Sequence, residues 1–379
     1  MFTVACSQHT STPPANQPAG NSSGSNGVRG TLDPAKVAAL QQRCDGGDPM
    51  GCFDLGVMYN NGTGAVKDKA HAAALFLKAC ERGNVPGCHN HGNIYIAGDG
   101  VGKDEARARV SFTKACDGGL AQACYNLGVL YEEGAGGERD AKRAAQLYQS
   151  ACDEGDPAGC SNLGVLYETG KDVAQDPGRA VALYRKGCEG GHANGCANLG
   201  IMYRTGKGVS QDDARAVALY WQGCDGGSGI GCFNLGVLHE AGNTVTKDVD
   251  AATRLYQKAC DTDYPMGCYN LGLLYANGSG VAKNLGRALG LYRRGCDGGV
   301  AISCSNLGLM YATGNGVAQD TALAQRLFTA ACDAANAASC NNLGVMYANG
   351  VGVGADAAAA KKFRDRACQL GSKTACQAH

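Results

Sequence analysis

Twenty cysteines fall into ten pairs that recur along the chain with one fixed step. The first members, Cys44, Cys80, Cys116, Cys152, Cys188, Cys224, Cys260, Cys296, Cys332 and Cys368, stand 36 residues apart with no insertion. Each has a companion eight residues later: Cys52, Cys88, Cys124, Cys160, Cys196, Cys232, Cys268, Cys304, Cys340 and Cys376. A period in this range is the signature of a stacked array, in which each unit buries its apolar face against its neighbours. The length of 379 residues would otherwise suggest two or three globular domains. The period instead predicts one elongated array over residues 31–379, with nine full repeats and partial terminal units.

Residues 152–188 illustrate the unit. Cys160, Leu163, Gly164 and Tyr167 fall at i, i+3, i+4 and i+7, which places them on one stripe of a first helix, A. Gly170 is positioned to stop it in a left-handed C′ conformation. Asp176 then offers an N-cap, and Pro177 opens a second helix, B, where a missing N–H costs nothing. Ala180, Leu183, Tyr184, Gly187 and Cys188 continue at helical spacing until Gly191 ends the helix. Small residues recur at fixed sites, Gly56 through Gly344 in A and Ala72 through Ala360 in B. They let facing backbones approach and leave room for a neighbouring Tyr or Phe. This gives structural work to the 58 glycines, about twice ordinary usage. Asp33 and Pro34 are set to start a lone B-type helix running to Cys44, and only one turn of a further A helix is expected around Cys376.

Each cysteine pair joins the end of one B helix to the start of the next A helix across a tight turn. A loop of about nine residues can bring two Cα atoms to the ~5.5 Å that a disulfide requires. Reduced thiols packed as small core residues would satisfy the same pattern. Zinc would need four converging ligands, and no short cysteine spacing supports that, so no metal or other cofactor is expected.

The string Asn126-Leu127-Gly128-x-x-Tyr131-x-x-Gly134, followed by an Asp cap and Ala-x-x-Leu-Tyr-x-x-Ala-Cys, resembles the Sel-one-like repeat (SLR) family. With its Cys-x7-Cys pairs the chain is similar to the Helicobacter cysteine-rich branch of that family. The resemblance implies an all-α, right-handed α/α superhelical solenoid of 36-residue helix-turn-helix repeats, related to tetratricopeptide repeats and cross-linked by disulfides. It also implies export from the cytoplasm and an adaptor role, holding protein complexes or binding extended peptides. The cysteine-rich branch has been described as penicillin-binding and β-lactamase-like, which makes such an enzyme the alternative function.

The residues themselves give that alternative little support. A serine β-lactamase should carry Ser-x-x-Lys with Ser-Asp-Asn and Lys-Thr-Gly elements. The one Ser-x-x-Lys is Ser111 to Lys114, but Ser111 fills the slot held by Leu75, Leu147, Leu183 and Leu219 in other repeats. The partner motifs are missing. The seven histidines are scattered, and His89 and His91 lie about 200° apart around their helix.

Binding has a better candidate. Two residues after the second cysteine of each of the first nine pairs stands Asn90, Asn126, Asn162, Asn198, Asn234, Asn270, Asn306 or Asn342, with Asp54 in the first repeat. This slot is expected to face away from the core of its own repeat, so a ladder of amides could read the backbone of an extended peptide. Alternatively, each Asn bonds the neighbouring repeat and fixes the stacking. The preceding slot varies widely, from Phe53 and His89 to Ser161 and Ala197, which favours a recognition role.

With 34 basic against 34 acidic residues and no charged block, the chain lacks the field that gathers nucleic acid. No apolar run reaches the ~18 residues of a membrane-spanning helix. The expected partner is therefore a protein or extended peptide bound by a monomer. Residues 1–30 read as a flexible Ser/Gly/Pro-rich tether. Within them Thr3-Val4-Ala5-Cys6-Ser7 resembles the end of a bacterial lipoprotein signal, although only five residues precede Cys6. Lipidation at Cys6 and a periplasmic or cell-surface location are the expectations.

Overall fold

The computed structural model describes residues 32–377. Cys6 and residues 1–30, expected to be a tether, lie outside the described residues. All regular structure among the described residues is helical, and it divides into two compact units, one ending at Gly190 and one beginning at Gly191.

The first unit opens with the lone helix Pro34–Asp45 and continues with four helical hairpins. The second holds five hairpins and a closing turn, Lys373–Cys376. The A helices start at Pro49, Val85, Ala121 and Pro157 in the first unit and at Ala193, Gly229, Pro265, Ala301 and Ala337 in the second. Each is followed by a B helix, from Lys69, Glu105, Ala141 and Pro177 to Asp213, Val249, Leu285, Thr321 and Ala357. Every one of these helices has 13 residues. Within each unit, A packs along its own B helix, and B packs on the next A helix. Successive A helices also touch, as Ala193–Thr205 and Gly229–Ala241 do.

The hairpin boundaries follow from local chemistry. In all nine hairpins the A helix ends in a left-handed glycine, with φ between 65° and 75°, whose N–H or that of the next residue returns to the last turn. The B helix is capped by Asp at eight positions and by Asn284 at the ninth, each accepting from an N–H two or three residues on at 2.8–2.9 Å. The backbone N–H of the same cap donates to a carbonyl of the A helix, as Asp176 does to Tyr167 at 2.9 Å. The specimen helices run Pro157–Thr169 and Pro177–Glu189, with Gly191 left-handed at φ 89°.

The core is built on the glycine and alanine slots. Ala72, Ala108, Ala144 and Ala180 are fully buried in the first unit, as are Ala252, Ala288 and Ala324 in the second. Opposite them an aromatic ring lies flat on the A-helix glycine: a Cβ on Gly164 would stand 2.8 Å from the ring of Tyr184, which is itself fully buried. That distance leaves no space for alanine, so the glycine is required by contact.

The cysteine pairs are disulfides. In each unit they link the last turn of B, or of the lone first helix, to the first turn of the next A helix or, at the end, to the closing turn. Their Cα separations are 4.5–4.8 Å from Cys44–Cys52 to Cys368–Cys376. Cys188 and Cys196 are disulfide-bonded as well. Cations from the following B helix complete the ends: Lys186 donates to the carbonyl of Cys152 at 2.7 Å, and Arg294 to that of Cys260 at 2.7 Å. Both sit where the negative end of a helix dipole favours them.

Candidate functional site

The asparagine slot lies at the seam between repeats. All eight, Asn90, Asn126, Asn162, Asn198, Asn234, Asn270, Asn306 and Asn342, are half-buried, as is Asp54. The expectation that they face fully outward is modified by the next layer of the stack, which covers one side of each amide. Asn162 lies close to Tyr125 and Tyr148 of the preceding repeat. Asn270 lies close to Tyr256, and Asn306 to Tyr292. Asn126 donates to Nε2 of His89 at 3.2 Å, while Asn234 turns back to the carbonyl of Ile230 at 2.9 Å. A primary amide offers two donors and two acceptor lone pairs. One bond into the stack therefore leaves capacity toward the A-helix face.

The tyrosines that meet the ladder cross beneath the A helix. Tyr148, Tyr184, Tyr220 and Tyr256 are fully buried, and burial raises the phenol pKa of Tyr148, Tyr220 and Tyr256 above the ordinary value. Three of their hydroxyls donate to a glutamate near the end of the A helix: Tyr148 to Glu132 at 2.8 Å, Tyr184 to Glu168 at 2.7 Å and Tyr256 to Glu240 at 2.6 Å. These acids were not singled out from sequence. The available signal was a Glu 16 residues before the B-helix Tyr at Tyr148, Tyr184 and Tyr256, absent before Tyr220 and Tyr292 and where that slot holds Phe76, Phe112 or Phe328.

The variable slot before the ladder is buried at five repeats and half-buried at Phe53, Tyr125, Tyr269 and Asn341. His89, Ser161, Ala197, Phe233 and Ser305 are buried. The larger members pack on the B-helix ring of their own repeat: Phe53 lies 5.8 Å from Phe76, His89 5.7 Å from Phe112 and Phe233 5.9 Å from Tyr256, centroid to centroid. At the buried positions its variety reflects how each repeat fills its core, not an exposed recognition surface.

Ser111 is buried, as the leucine slot requires, but it has a partner that sequence reasoning missed. Its Oγ lies 2.7 Å from Nδ1 of His91 and donates to the carbonyl of Arg107 at 3.0 Å. The tautomer of His91 sets the direction: His91 donates to Ser111 when the hydroxyl proton goes to Arg107, and accepts from it otherwise. The pair satisfies two polar groups in an otherwise apolar slot, and both residues are nearly inaccessible. Burial, with the nearby charge of Arg107, lowers the pKa of His91.

Among the described residues, no group of three or more His, Cys, Asp or Glu side chains is placed to hold a metal ion. No described helix is long and apolar enough to cross a membrane.

A hairpin of two 13-residue helices recurring every 36 residues is also what the comparisons with known proteins return. The Sel1 repeat matches nine consecutive segments, 49–84, 85–120, 121–156, 157–192, 193–228, 229–263, 265–300, 301–336 and 337–372. The chain is similar to the crystal structure of a protective antigen present in uropathogenic Escherichia coli strains that displays an SLR fold. The identity is 29% and the TM-score 0.54, over 89% of this chain and 80% of that one. A Sel1 repeat protein from Oxalobacter formigenes is 28% identical with a TM-score of 0.57, over 66% of this chain and 99% of its own. Helicobacter pylori cysteine rich protein B is 30% identical with a TM-score of 0.30, over 36% of this chain and 99% of its own. No curated protein matches the chain significantly. With nine matched repeats spanning most of its length, the chain belongs to the Sel1 repeat family.

Proposed function

We propose that this protein is a binding scaffold of an oxidising, extracytoplasmic compartment, and that it engages extended protein segments along the face lined by its A helices. Sel1 repeat proteins are generally protein-interaction scaffolds. A disulfide in the B-to-A turn of repeat after repeat suits a compartment in which thiols are not kept reduced. Anchoring through Cys6, which lies outside the described residues, is the route that the motif around it suggests.

The observation that carries the binding reading is the amide ladder. Eight half-buried asparagines recur at one register on the A helices, and Asn126 and Asn234, which are hydrogen-bonded within the protein, retain further hydrogen-bonding capacity. Amides paired with a peptide backbone recognise an extended chain with little sequence preference, and the neutral charge balance fits a partner found by shape and hydrogen bonds.

Linear peptides selected from a displayed library on the oxidised protein test this reading. Replacing Asn198 and Asn342 with Ala should weaken an enriched peptide at least tenfold while leaving the melting temperature in place. A lowered melting temperature with unchanged affinity would assign the ladder to stacking alone.

A further inference from the structure

The fifth repeat, with helices Ala193–Thr205 and Asp213–Asp225, breaks the pattern that its neighbours keep. Its buried tyrosine is Tyr220, and the position that holds Glu132, Glu168 and Glu240 in three other repeats holds Arg204. Asn234, the ladder amide of the next A helix, offers no acceptor there, since it turns to donate to Ile230 of its own helix at 2.9 Å.

Two donors are thereby left without an acceptor. Tyr220 is fully buried and its Oη bonds nothing; Nη1 of Arg204 is buried and bonds nothing. The two are near one another: burial raises the phenol pKa of Tyr220, and the charge of Arg204 opposes that rise. A native interior rarely leaves such groups unmatched without a functional reason.

We propose that Arg204 and Tyr220 form a subsite for a carboxylate supplied by the bound partner. The neighbouring repeats indicate what shape of group belongs there, since each fills the place beside its tyrosine hydroxyl with a glutamate carboxylate at 2.6–2.8 Å. An incoming carboxylate has one oxygen for the Tyr220 hydroxyl and one for the Arg204 guanidinium, a charge-assisted pair. Arg204 as a residue is half-buried, although its Nη1 and the Tyr220 hydroxyl are enclosed, so the carboxylate enters as the Arg204 side chain swings outward. An Asp or Glu side chain, or a chain's C-terminal carboxylate, carries the required chemistry. The inference rests on the reading that partner segments run along the A-helix face, and it adds a fixed acidic register point to an otherwise permissive ladder.

The test uses the full, disulfide-bonded chain labelled with nitrogen-15, following the Nε–Hε resonance of Arg204. The probes are N-acetyl-aspartate N-methylamide for a side-chain carboxylate, N-acetyl-alanine for a terminal one and N-acetyl-asparagine N-methylamide as the neutral control. A saturable shift is expected with at least one carboxylate, at least tenfold weaker with the neutral control. The probe that binds more tightly identifies the source. Arg204→Glu reinstates the Glu–Tyr arrangement of the neighbouring repeats, so it should abolish carboxylate binding without lowering the melting temperature. Tyr220→Phe should weaken it about tenfold. No saturable shift in the native chain, equal response to the neutral control, or an unchanged carboxylate affinity in Arg204→Glu measured by calorimetry would overturn the subsite. Carboxylate binding without binding of any selected linear peptide would refute the groove reading and leave the subsite standing. Peptide binding indifferent to Asp→Asn exchange would overturn the subsite and leave the groove.

Discussion

His89 makes the stability of the first unit sensitive to acid. It is buried against Phe112, its ring centroid 5.7 Å away, and burial lowers its pKa from 6.5 to about 4. The amide of Asn126 donates to its Nε2 at 3.2 Å, a bond that requires the neutral ring. In the unfolded chain the same imidazole binds a proton below about pH 6.5. Between pH 6.5 and 4 the unfolded state therefore holds the extra proton, and stability falls as pH falls. Integrating that difference gives a loss of about 2 kcal/mol at pH 5 and about 3 kcal/mol once pH 4 is reached. His89→Phe isolates the effect, because Phe53 and Phe233 occupy the equivalent slot and pack on the equivalent ring at 5.8 and 5.9 Å. Urea unfolding of the oxidised protein, followed by helical circular dichroism at pH 7.5 and 5.0, measures both chains. The native chain should lose about 2 kcal/mol more than the variant across that interval. Equal losses would show that His89 is protonated in the fold, and would refute the buried neutral assignment.

Other substitutions probe the remaining parts of the architecture. The turn between B and the next A helix holds a left-handed glycine, φ 83–96°, at eight places, but Asp263 and Ala335 occupy the same place at φ 55° and 61°. Ala335→Gly should stabilise the second unit by about 0.5–1 kcal/mol, the left-handed penalty less the entropy of glycine, read from urea midpoints. Gly164→Ala drives a Cβ to 2.8 Å from the fully buried ring of Tyr184 and should destabilise by about 1–3 kcal/mol, even though alanine is the better helix former. Removing the Cys152–Cys160 disulfide with paired Ala substitutions opens a loop of about nine residues and should cost about 2.6 kcal/mol of loop-closure entropy, measured by the same unfolding assay. A larger loss would mean that the bridge also holds native packing.

How much of this was legible in the sequence depends on the distance over which each interaction acts. Helix ends, caps and hairpin turns are local, and Asp176, Pro177 and Gly170 do in the structure what their spacing implies. The period itself disclosed the glycine-on-ring contact, because Gly164 and Tyr184 recur together in register. Contacts between layers were much harder to see. A helical wheel places Asn162 away from the core of its own helix pair, yet says nothing of Tyr125 and Tyr148 in the preceding repeat. The same blindness took the variety of the slot of His89 and Ser161 to favour recognition, when both residues are buried and His89 packs on the B-helix ring. Ser111 and His91 are 20 residues apart, and only their fold contact shows that two unusual residues compensate each other. Arg204 was visible as a charge reversal at one register position, but its meaning required knowing that the position faces a buried phenol.

The central claim is that the ladder amides receive a partner's backbone, and their side-chain NH2 resonances report on it directly. Nitrogen-15 spectra of the oxidised chain should be recorded with and without a selected linear peptide. The account predicts shifts at a consecutive run of the eight ladder asparagines, with the Asp33-capped first helix and the B-helix surfaces unmoved. Saturating peptide that leaves every ladder amide unchanged, while shifting resonances on the B helices, would contradict it.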